Sequence, residues 1–570
     1  MENRELLVRP NPTVEGLFPY VIDRPGIDPD LVLDFNESLA PPPALAGDEL
    51  QINRYPDYRE IETAIAEFVG VDSERVLVTN GADDALERTV RCAVAPGRRA
   101  VLATPSYGMI KRFAILGGAE ISETPWWSGD FPVDEVCRLA GDDCGLVAVV
   151  SPSNPTGAFA SQFAFRTLLE RLPETLVLLD QAYVDFTDPE NDLAPVALEY
   201  PNAVVVRTFS KAWGCAGLRV GCAIADPRVI DWLRRAGLPF PVSTLSLEAA
   251  LFALEGGPDR ARVALIREQR GALTEFLTGL GVEVLPSEAS FVFARFENPE
   301  LVWRGLGALG ISVRRFPGRT DLDGWLRITL PGDEANFNRL KHGLQTVLDP
   351  GAVLFDMDGV LADVSESYRR AVIETAAAWG VELTPEDVAH AKSRGNANND
   401  WELTRRLLEK HGVEAGLDEV TERFESLYQG ADDAPGLRRH ETLRIGRAGL
   451  ERLAAGRPLG VVTGRPRSDA LRFLEDQGIE DLFATVVCME DAPPKPNPAP
   501  VHLAVERLGV STAWMVGDTP DDLRAASAAG VLPVGLAAVG DDPGSAENAM
   551  RTAGAAWVAI DPNEIEELMP

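Results

Sequence analysis

The chain has 570 residues, 45% hydrophobic and 25% charged, a globular composition too long for one ordinary core. A formal net charge of −34 argues against nucleic acid and anionic membranes as partners. No apolar run reaches membrane-spanning length, and the N-terminus lacks a signal peptide's basic and apolar regions, so the expected location is the cytosol.

Residues 1–50, rich in proline and glycine, read as an irregular N-terminal arm. From 51 to 240, apolar runs at 76–79, 100–103, 146–151, 176–179, 203–207 and 221–224 alternate with amphipathic stretches that include 58–69 and 82–93. That alternation predicts a large doubly wound α/β domain. Residues 241–348 read as a smaller α/β domain, with a long helix at 261–280, strands at 282–285, 291–295 and 326–329, and a closing helix at 334–348. After the turn at 349–351, strand 352–355 opens a second α/β core, formed by 352–364 and 446–570. Further strands of this core are predicted at 459–463, 485–488 and 513–516, and helical patterns fill the interval 365–445.

The six cysteines form no CxxC motif and no His-Cys cluster, which fits a reduced compartment and no structural zinc. Lysine occurs only at 111, 211, 341, 392, 410 and 495, and arginine supplies the other cations. A buried lysine can lose its proton where arginine cannot, so a lysine in such a chain marks chemistry. No histidine precedes His342, which removes histidine as a general base for the first half.

Pyridoxal phosphate needs an amine for its aldehyde, an anion at its pyridine nitrogen and a donor at its phenolic oxygen, as well as an aromatic face and a phosphate cup. Candidates occur in order. Gly81, Ala82 and Asp83 open a helix after strand 76–79, where backbone amides can hold phosphate. Tyr107 offers a ring, and Asn154, in Ser151-Pro152-Ser153-Asn154-Pro155-Thr156-Gly157, offers a donor. Asp180 ends an apolar strand, with Tyr183 three residues on; Lys211 supplies the amine, and Ser210 and Arg219 complete the phosphate cup.

Together with Arg54-Tyr55-Pro56-Asp57, Pro19-Tyr20, Ile311-Ser312-Val313-Arg314 and Leu326-Arg327-Ile328-Thr329, these pieces make residues 1–348 resemble the fold-type I pyridoxal-phosphate aminotransferases, the histidinol-phosphate aminotransferase group above all. The resemblance implies that Lys211 holds the cofactor and then shuttles a proton. It implies that Tyr55 reaches the cofactor phosphate of a neighbouring subunit, hence a homodimer. It also implies that Tyr20, Arg314 and Arg327 engage substrate anions, phosphate or carboxylate. Three departures bear on substrate choice more than on cofactor binding: Asn36-Glu37-Ser38-Leu39 stands for the usual Asn-Glu-Asn-Pro, Gln181 for Glu, and Ser290 for the common Asn.

The second half carries a different set. Asp356 and Asp358 lie two apart where strand 352–355 opens into its loop, and two such carboxylates repel unless a cation or a proton is shared. Magnesium relieves that repulsion and neutralises a phosphate. Asp356 can then attack phosphorus while Asp358 protonates the leaving alcohol and later activates water. Thr463 can bind a phosphoryl oxygen, Lys495 offers a compact charge, and Asp518 a further carboxylate for the metal shared with Asp356 and Asp358; Asp521 either adds a ligand or shapes the turn.

Residues 352–565 thus resemble the haloacid-dehalogenase-like phosphatases, a Rossmann-like core whose helical stretch 365–445 corresponds to that superfamily's inserted cap. Within it, 393–400 fits a recognition loop or, the plainer reading, an ordinary polar loop. The two resemblances together lead us to expect a bifunctional enzyme of histidine biosynthesis acting on small molecules: transamination between histidinol phosphate and imidazole acetol phosphate with glutamate and 2-oxoglutarate, then hydrolysis of the phosphate ester. The alternatives are an aminotransferase or decarboxylase for another amino acid or phosphorylated amine beside a phosphoglycolate-type or housekeeping phosphatase, or one degenerate half.

Overall fold

The computed structural model describes residues 30–33, 55–431 and 434–569. The remaining 1–29 and 34–54, including Tyr20 and almost all of the expected N-terminal arm, lie outside the described residues.

The described residues group into two compact units. The first contains 55–297 and 313–338, and seven strands form its main sheet. They are β1 (Val76–Asn80), β2 (Arg99–Thr104), β3 (Glu120–Pro125), β4 (Cys144–Val150), β5 (Leu176–Asp180), β6 (Ala203–Thr208) and β7 (Val220–Ala225), in the order β1-β7-β6-β5-β4-β2-β3. Only β7 runs antiparallel to its neighbours. The central strands alternate their burial between two cores: Val147, Val149, Leu179 and Val205 point to one face, and Leu146, Ala148, Leu178 and Val204 to the other. A parallel sheet covered on both faces requires this, which is why these strands read as continuous apolar runs. Edge strand β3 (EISETP) has no such run and is absent from the predicted set.

Helix α1 (Gly81–Ala93) follows β1 directly, and Asp84 in its first turn accepts from the Asn80 amide (2.9 Å) and pairs with Arg88 (2.7 Å). Both contacts stabilise the helix start at the end of the strand. A smaller antiparallel sheet joins β8 (Glu283–Leu285), β9 (Phe291–Arg295) and β10 (Trp325–Thr329) in the order β10-β9-β8. Phe293 and Trp325 stack across β9 and β10, with ring centroids 4.8 Å apart.

The second unit contains 298–312 and 339–569. Its parallel sheet comprises β11 (Val353–Phe355), β12 (Leu459–Val462), β13 (Phe483–Val487), β14 (Trp514–Gly517), β15 (Leu532–Leu536) and β16 (Trp557–Ala559), ordered β13-β12-β11-β14-β15-β16. The first strand in sequence is therefore central, flanked by β12 and β14, and the chain departs to opposite sides of it. In open α/β sheets that is where a crevice forms outside the carboxyl ends. Strands β15, interrupted by Pro533 and Gly535, and edge strand β16 are absent from the predicted set.

The segments 298–312 and 339–348, expected within the aminotransferase small domain, group with this second unit. The physical reason is packing. Trp514 Nε1 donates to the Thr346 carbonyl at 2.7 Å, and a Cβ on Gly305 would lie 2.8 Å from Val347 and 3.2 Å from Leu532.

Four helices interrupt the second sheet after β11: α2 (Tyr368–Ala378), α3 (Pro385–Ser393), α4 (Asp400–Lys410) and α5 (Leu417–Gln429). Their facing side chains, among them Val372, Leu403, Leu407, Val420 and Phe424, are buried. The chain enters and leaves this insertion through a short antiparallel pair, Ala362–Asp363 with Thr442–Leu443.

Candidate active sites

The first site gathers at the carboxyl ends of β1, β5 and β6. Asp180, the last residue of β5, is buried; loss of solvent pushes its carboxyl up to about 6, against the Ala182 amide that donates to it at 3.0 Å. Lys211 follows β6 and lies with its Nζ 5.9 Å from the Tyr183 ring centroid. Tyr107 donates its hydroxyl to Asp83 (2.8 Å), and burial, then the Asp83 charge, pushes that phenol up. Arg219, in the left-handed region at φ 55°, lays its guanidinium 3.3 Å from Asp83 and 3.4 Å from Ser210 Oγ. Ser210 is held in turn by Thr208 (2.9 Å).

These contacts bring the predicted phosphate cup together. Gly81 has φ 73°, and a Cβ there would meet Arg219 Nη2 at 2.5 Å, so the helix start and the guanidinium close on one point. Asn154 accepts from Arg327 through Oδ1 at 2.6 Å, which leaves its amide nitrogen as the donor. Arg314 pairs backbone to backbone with Arg327, placing both substrate-anion candidates on adjacent segments. Gln181 is absorbed by a structural pair: it donates to Asp192 (3.1 Å), which binds Arg207 at 2.6 Å. Tyr55 is 81% exposed and stacks on Phe240 at 4.7 Å.

The residues fit pyridoxal phosphate on an observation of the fold itself. Among the described residues no cation forms an ion pair with the buried Asp180, on which Lys211 acts only electrostatically, and a protonated pyridine nitrogen would supply a direct partner.

The second site lies at the carboxyl ends of β11, β12 and β14. Lys495 Nζ bridges Asp356 Oδ1 (2.7 Å) and Asp522 Oδ1 (2.5 Å) and donates to the Val462 carbonyl (3.0 Å). Burial opposes its charge, but Asp356 and Asp522 outweigh burial and keep the ammonium protonated. Burial pushes Asp356 up to about 7; Lys495 offsets this in part, while Asp522 and Asp358 add to it. Asp518 is raised by burial and then by Asp522 and Asp356. Asp356, Asp518 and Asp522 each present an oxygen within 4.8 Å of the others. Three clustered carboxylates, two of them buried and paired with one ammonium, fit a divalent cation, since oxygen-rich clusters of this kind suit hard metals. Gly359 (φ 75°) is required beside them, because a Cβ there would lie 2.0 Å from Asp518 Oδ2.

Two residues depart from the predicted set. Asp358, expected among the metal ligands, turns its carboxylate to Arg465 (2.5 Å), and Asp522 takes the third place in the cluster. The signal for Asp522 was its spacing: it falls four residues after Asp518, in the first turn of α6 (Pro520–Ala528), where its other oxygen caps the helix through Thr519. Asp521 forms hydrogen bonds of another kind. Its Oδ2 accepts from the Ala397 amide (3.1 Å) and from Asn398 Nδ2 (3.2 Å), and Asn398 also donates to the Lys495 carbonyl (3.0 Å). The stretch 393–400 is thus anchored beside Lys495, and Asn398, Asn399, Asp400 and Trp401 line a pocket with Asp358 and Arg465. Thr463 is buried at the end of β12 and accepts from the Arg465 amide at 3.1 Å.

The family model for aminotransferase class I and II matches residues 29–344. The chain belongs to that family. A second model, haloacid dehalogenase-like hydrolase, matches residues 350–530, so an aminotransferase and a haloacid-dehalogenase-like hydrolase are joined in one polypeptide. Among named relatives, histidinol-phosphate aminotransferase 1 of Dechloromonas aromatica (strain RCB) is 35% identical over 304 residues, 52% of this chain and 83% of that protein. Imidazoleglycerol-phosphate dehydratase of Phytophthora nicotianae is 49% identical over 193 residues, 32% of this chain and only 43% of that protein. Among solved structures, histidinol-phosphate aminotransferase from Sinorhizobium meliloti, in complex with pyridoxal-5'-phosphate, matches with a TM-score of 0.53 and 24% identity over 60% of this chain and 98% of its own, a likeness of fold. No helix among the described residues is long and apolar enough to cross a membrane.

Proposed function

We propose that this aminotransferase–hydrolase performs two consecutive steps of histidine biosynthesis: pyridoxal-phosphate-dependent exchange of an amino group between glutamate and imidazole acetol phosphate, and Mg2+-dependent hydrolysis of the resulting histidinol phosphate. The observation that carries the reading is the presence in one chain of both constellations, Asp180 with Lys211 and the phosphate cup, and Asp356 with Lys495, Asp518 and Asp522. Similarity to a histidinol-phosphate aminotransferase over most of that protein's length supports the first step, and similarity to a second protein named for an imidazole phosphate supports the pathway.

In the first site the bound cofactor acts as the electron sink. Lys211 provides the amine that carries it and moves the proton between substrate carbon and cofactor. Asp180 holds the ring nitrogen protonated, Asn154 donates to the phenolic oxygen, and Tyr107 and Tyr183 flank the ring. The Gly81, Ala82 and Asp83 helix start, Ser210 and Arg219 bind the cofactor phosphate. Arg314 and Arg327 bind substrate anions, with Tyr20 as a third contact, and Tyr55 completes the phosphate cup of a second copy, which makes the working unit a cytoplasmic homodimer.

In the second site Asp356 and Asp518, with Asp522, would hold the metal, whose charge would neutralise that of the phosphate. An Asp356 oxygen attacks phosphorus as the ester P–O bond breaks, and Asp358 gives its proton to the leaving alcohol. Water then attacks the aspartyl phosphate, Asp358 takes its proton, and phosphate departs. Thr463 and Lys495 bind phosphoryl oxygens, and the helical insertion acts as a cap over the leaving group.

The test is a one-pot assay with both cofactors, glutamate and imidazole acetol phosphate, following 2-oxoglutarate and inorganic phosphate separately. Phosphate release that depends on glutamate is the expected result. 2-Oxoglutarate without phosphate would send the hydrolase to another substrate; carbon dioxide in place of 2-oxoglutarate would replace transamination by decarboxylation.

A further inference from the structure

Arg465 is fully buried, with no side-chain exposure, two residues beyond Thr463. A buried guanidinium is costly unless its donors are met, and here they are met by two carboxylates from different parts of the unit. On one side Nε and Nη2 both reach Asp358 Oδ1, at 2.7 and 2.5 Å. On the other, Nη1 and Nη2 form a two-pronged pair with Glu441 at 3.0 Å each. Glu441 lies where the chain returns from the helical insertion to the core, and Tyr428 of α5 adds its hydroxyl at 3.3 Å from Nη1. The guanidinium plane is held between the rings of Tyr368 (4.6 Å) and Phe473 (5.4 Å).

Both contacts with Asp358 fall on Oδ1, and Oδ2 accepts no hydrogen bond from the described residues. We propose that Arg465 is the positioning residue for Asp358: clamped by Glu441 and two aromatic rings, it fixes the carboxylate that exchanges a proton with the leaving oxygen, and it makes that placement depend on the seated insertion. Nothing in the phosphatase motifs assigns it this part. The side chain touches neither the phosphate-binding Thr463 side chain nor the acidic cluster in the contacts above, so its effect runs through Asp358.

The inference rests on the phosphatase reading, and the two are tested separately. Asp356→Asn must abolish hydrolysis of every ester; if it does not, the phosphatase reading fails. Arg465 is then tested with two probes in the full-length chain. 4-Nitrophenyl phosphate leaves as a stable anion and needs no proton, whereas a primary alkyl phosphate, the best wild-type substrate among histidinol phosphate, glycerol 3-phosphate and phosphoglycolate, needs one as its P–O bond breaks. The expected result for Arg465→Met is a fall in kcat/KM of about thirtyfold or more for the alkyl ester and about threefold or less for the aryl ester, with Arg465→Lys in between. Equal losses on both esters, or no loss on either, would overturn the proposal. If Arg465→Met loses its thermal transition, Glu441→Gln is judged by the same ratio: an alkyl-selective loss supports the clamp and an equal one refutes it.

Discussion

Asp180 and Asp356 occupy the same place in two unrelated sheets: each stands at the carboxyl end of an apolar strand, is buried, and is pushed up by loss of solvent, to about 6 and about 7. Their neighbours differ. Lys211 offsets the burial of Asp180 less than the Ala182 amide does, while Asp356 has Lys495 at 2.7 Å and two further carboxylates around it. A protonated ring nitrogen would give Asp180 a direct partner in the first site. In the second, Asp356 and Asp522 share the Lys495 ammonium and Asp518 joins them in one cluster, an arrangement that a divalent cation would neutralise further. Lys495, gripped by two carboxylates, is a fixed cation.

The comparison breaks most visibly by exchanging one side chain at each site. Lys211→Ala is expected to reduce transamination by at least about a thousandfold and leave ester hydrolysis intact, and Asp356→Asn to do the reverse. Separate assays of the two products check this; loss of both activities from either change would show that the sites do not work independently.

Asp180→Asn sharpens the electrostatic half of the contrast. The folded-state value of Asp180 is raised from 3.8 to about 6, so folding favours its protonated form. Below about pH 4 the group is neutral folded or unfolded and costs nothing. As pH rises to about 6 the unfolded chain ionises first, and the fold loses up to about 3 kcal/mol from this group. The cofactor-free variant is therefore expected to exceed the wild type in stability at pH 8 by up to that amount and to match it near pH 4. Chemical denaturation at the two pH values measures the difference, and bound pyridoxal phosphate should shrink it.

The two glycines give the smallest contrast. Gly359→Ala places a Cβ 2.0 Å from Asp518 Oδ2, on a short side chain set in the cluster, and Gly81→Ala places one 2.5 Å from the end of the long Arg219 side chain. Both have positive φ and share a backbone cost of about 1–3 kcal/mol. Magnesium affinity, read by titration of phosphatase activity, is expected to fall about tenfold or more in Gly359→Ala, while cofactor affinity in Gly81→Ala falls less because the guanidinium can swing aside.

The sequence by itself determined the two chemistries. Asp180, Asp356 and Lys211 stand at or just beyond strand ends and Lys495 in a proline-rich loop, and a carboxylate that ends a buried apolar run is legible because burial makes it costly without a purpose. Strands β4, β5, β6 and β11 were legible because each carries a continuous apolar run, whereas edge strand β3 and the Pro- and Gly-broken β15 carry no such run. Tertiary structure alone decided which carboxylates meet. Asp358 and Asp356 are two residues apart in sequence, yet one turns to Arg465 and the other to Lys495. Asp522 replaces Asp358 in the acidic cluster, and Asp521, beside it, ties down Asn398. Those choices depend on arginine, lysine and loop groups 107–139 residues distant in the chain, brought together by the order of the strands, and no local pattern records that order.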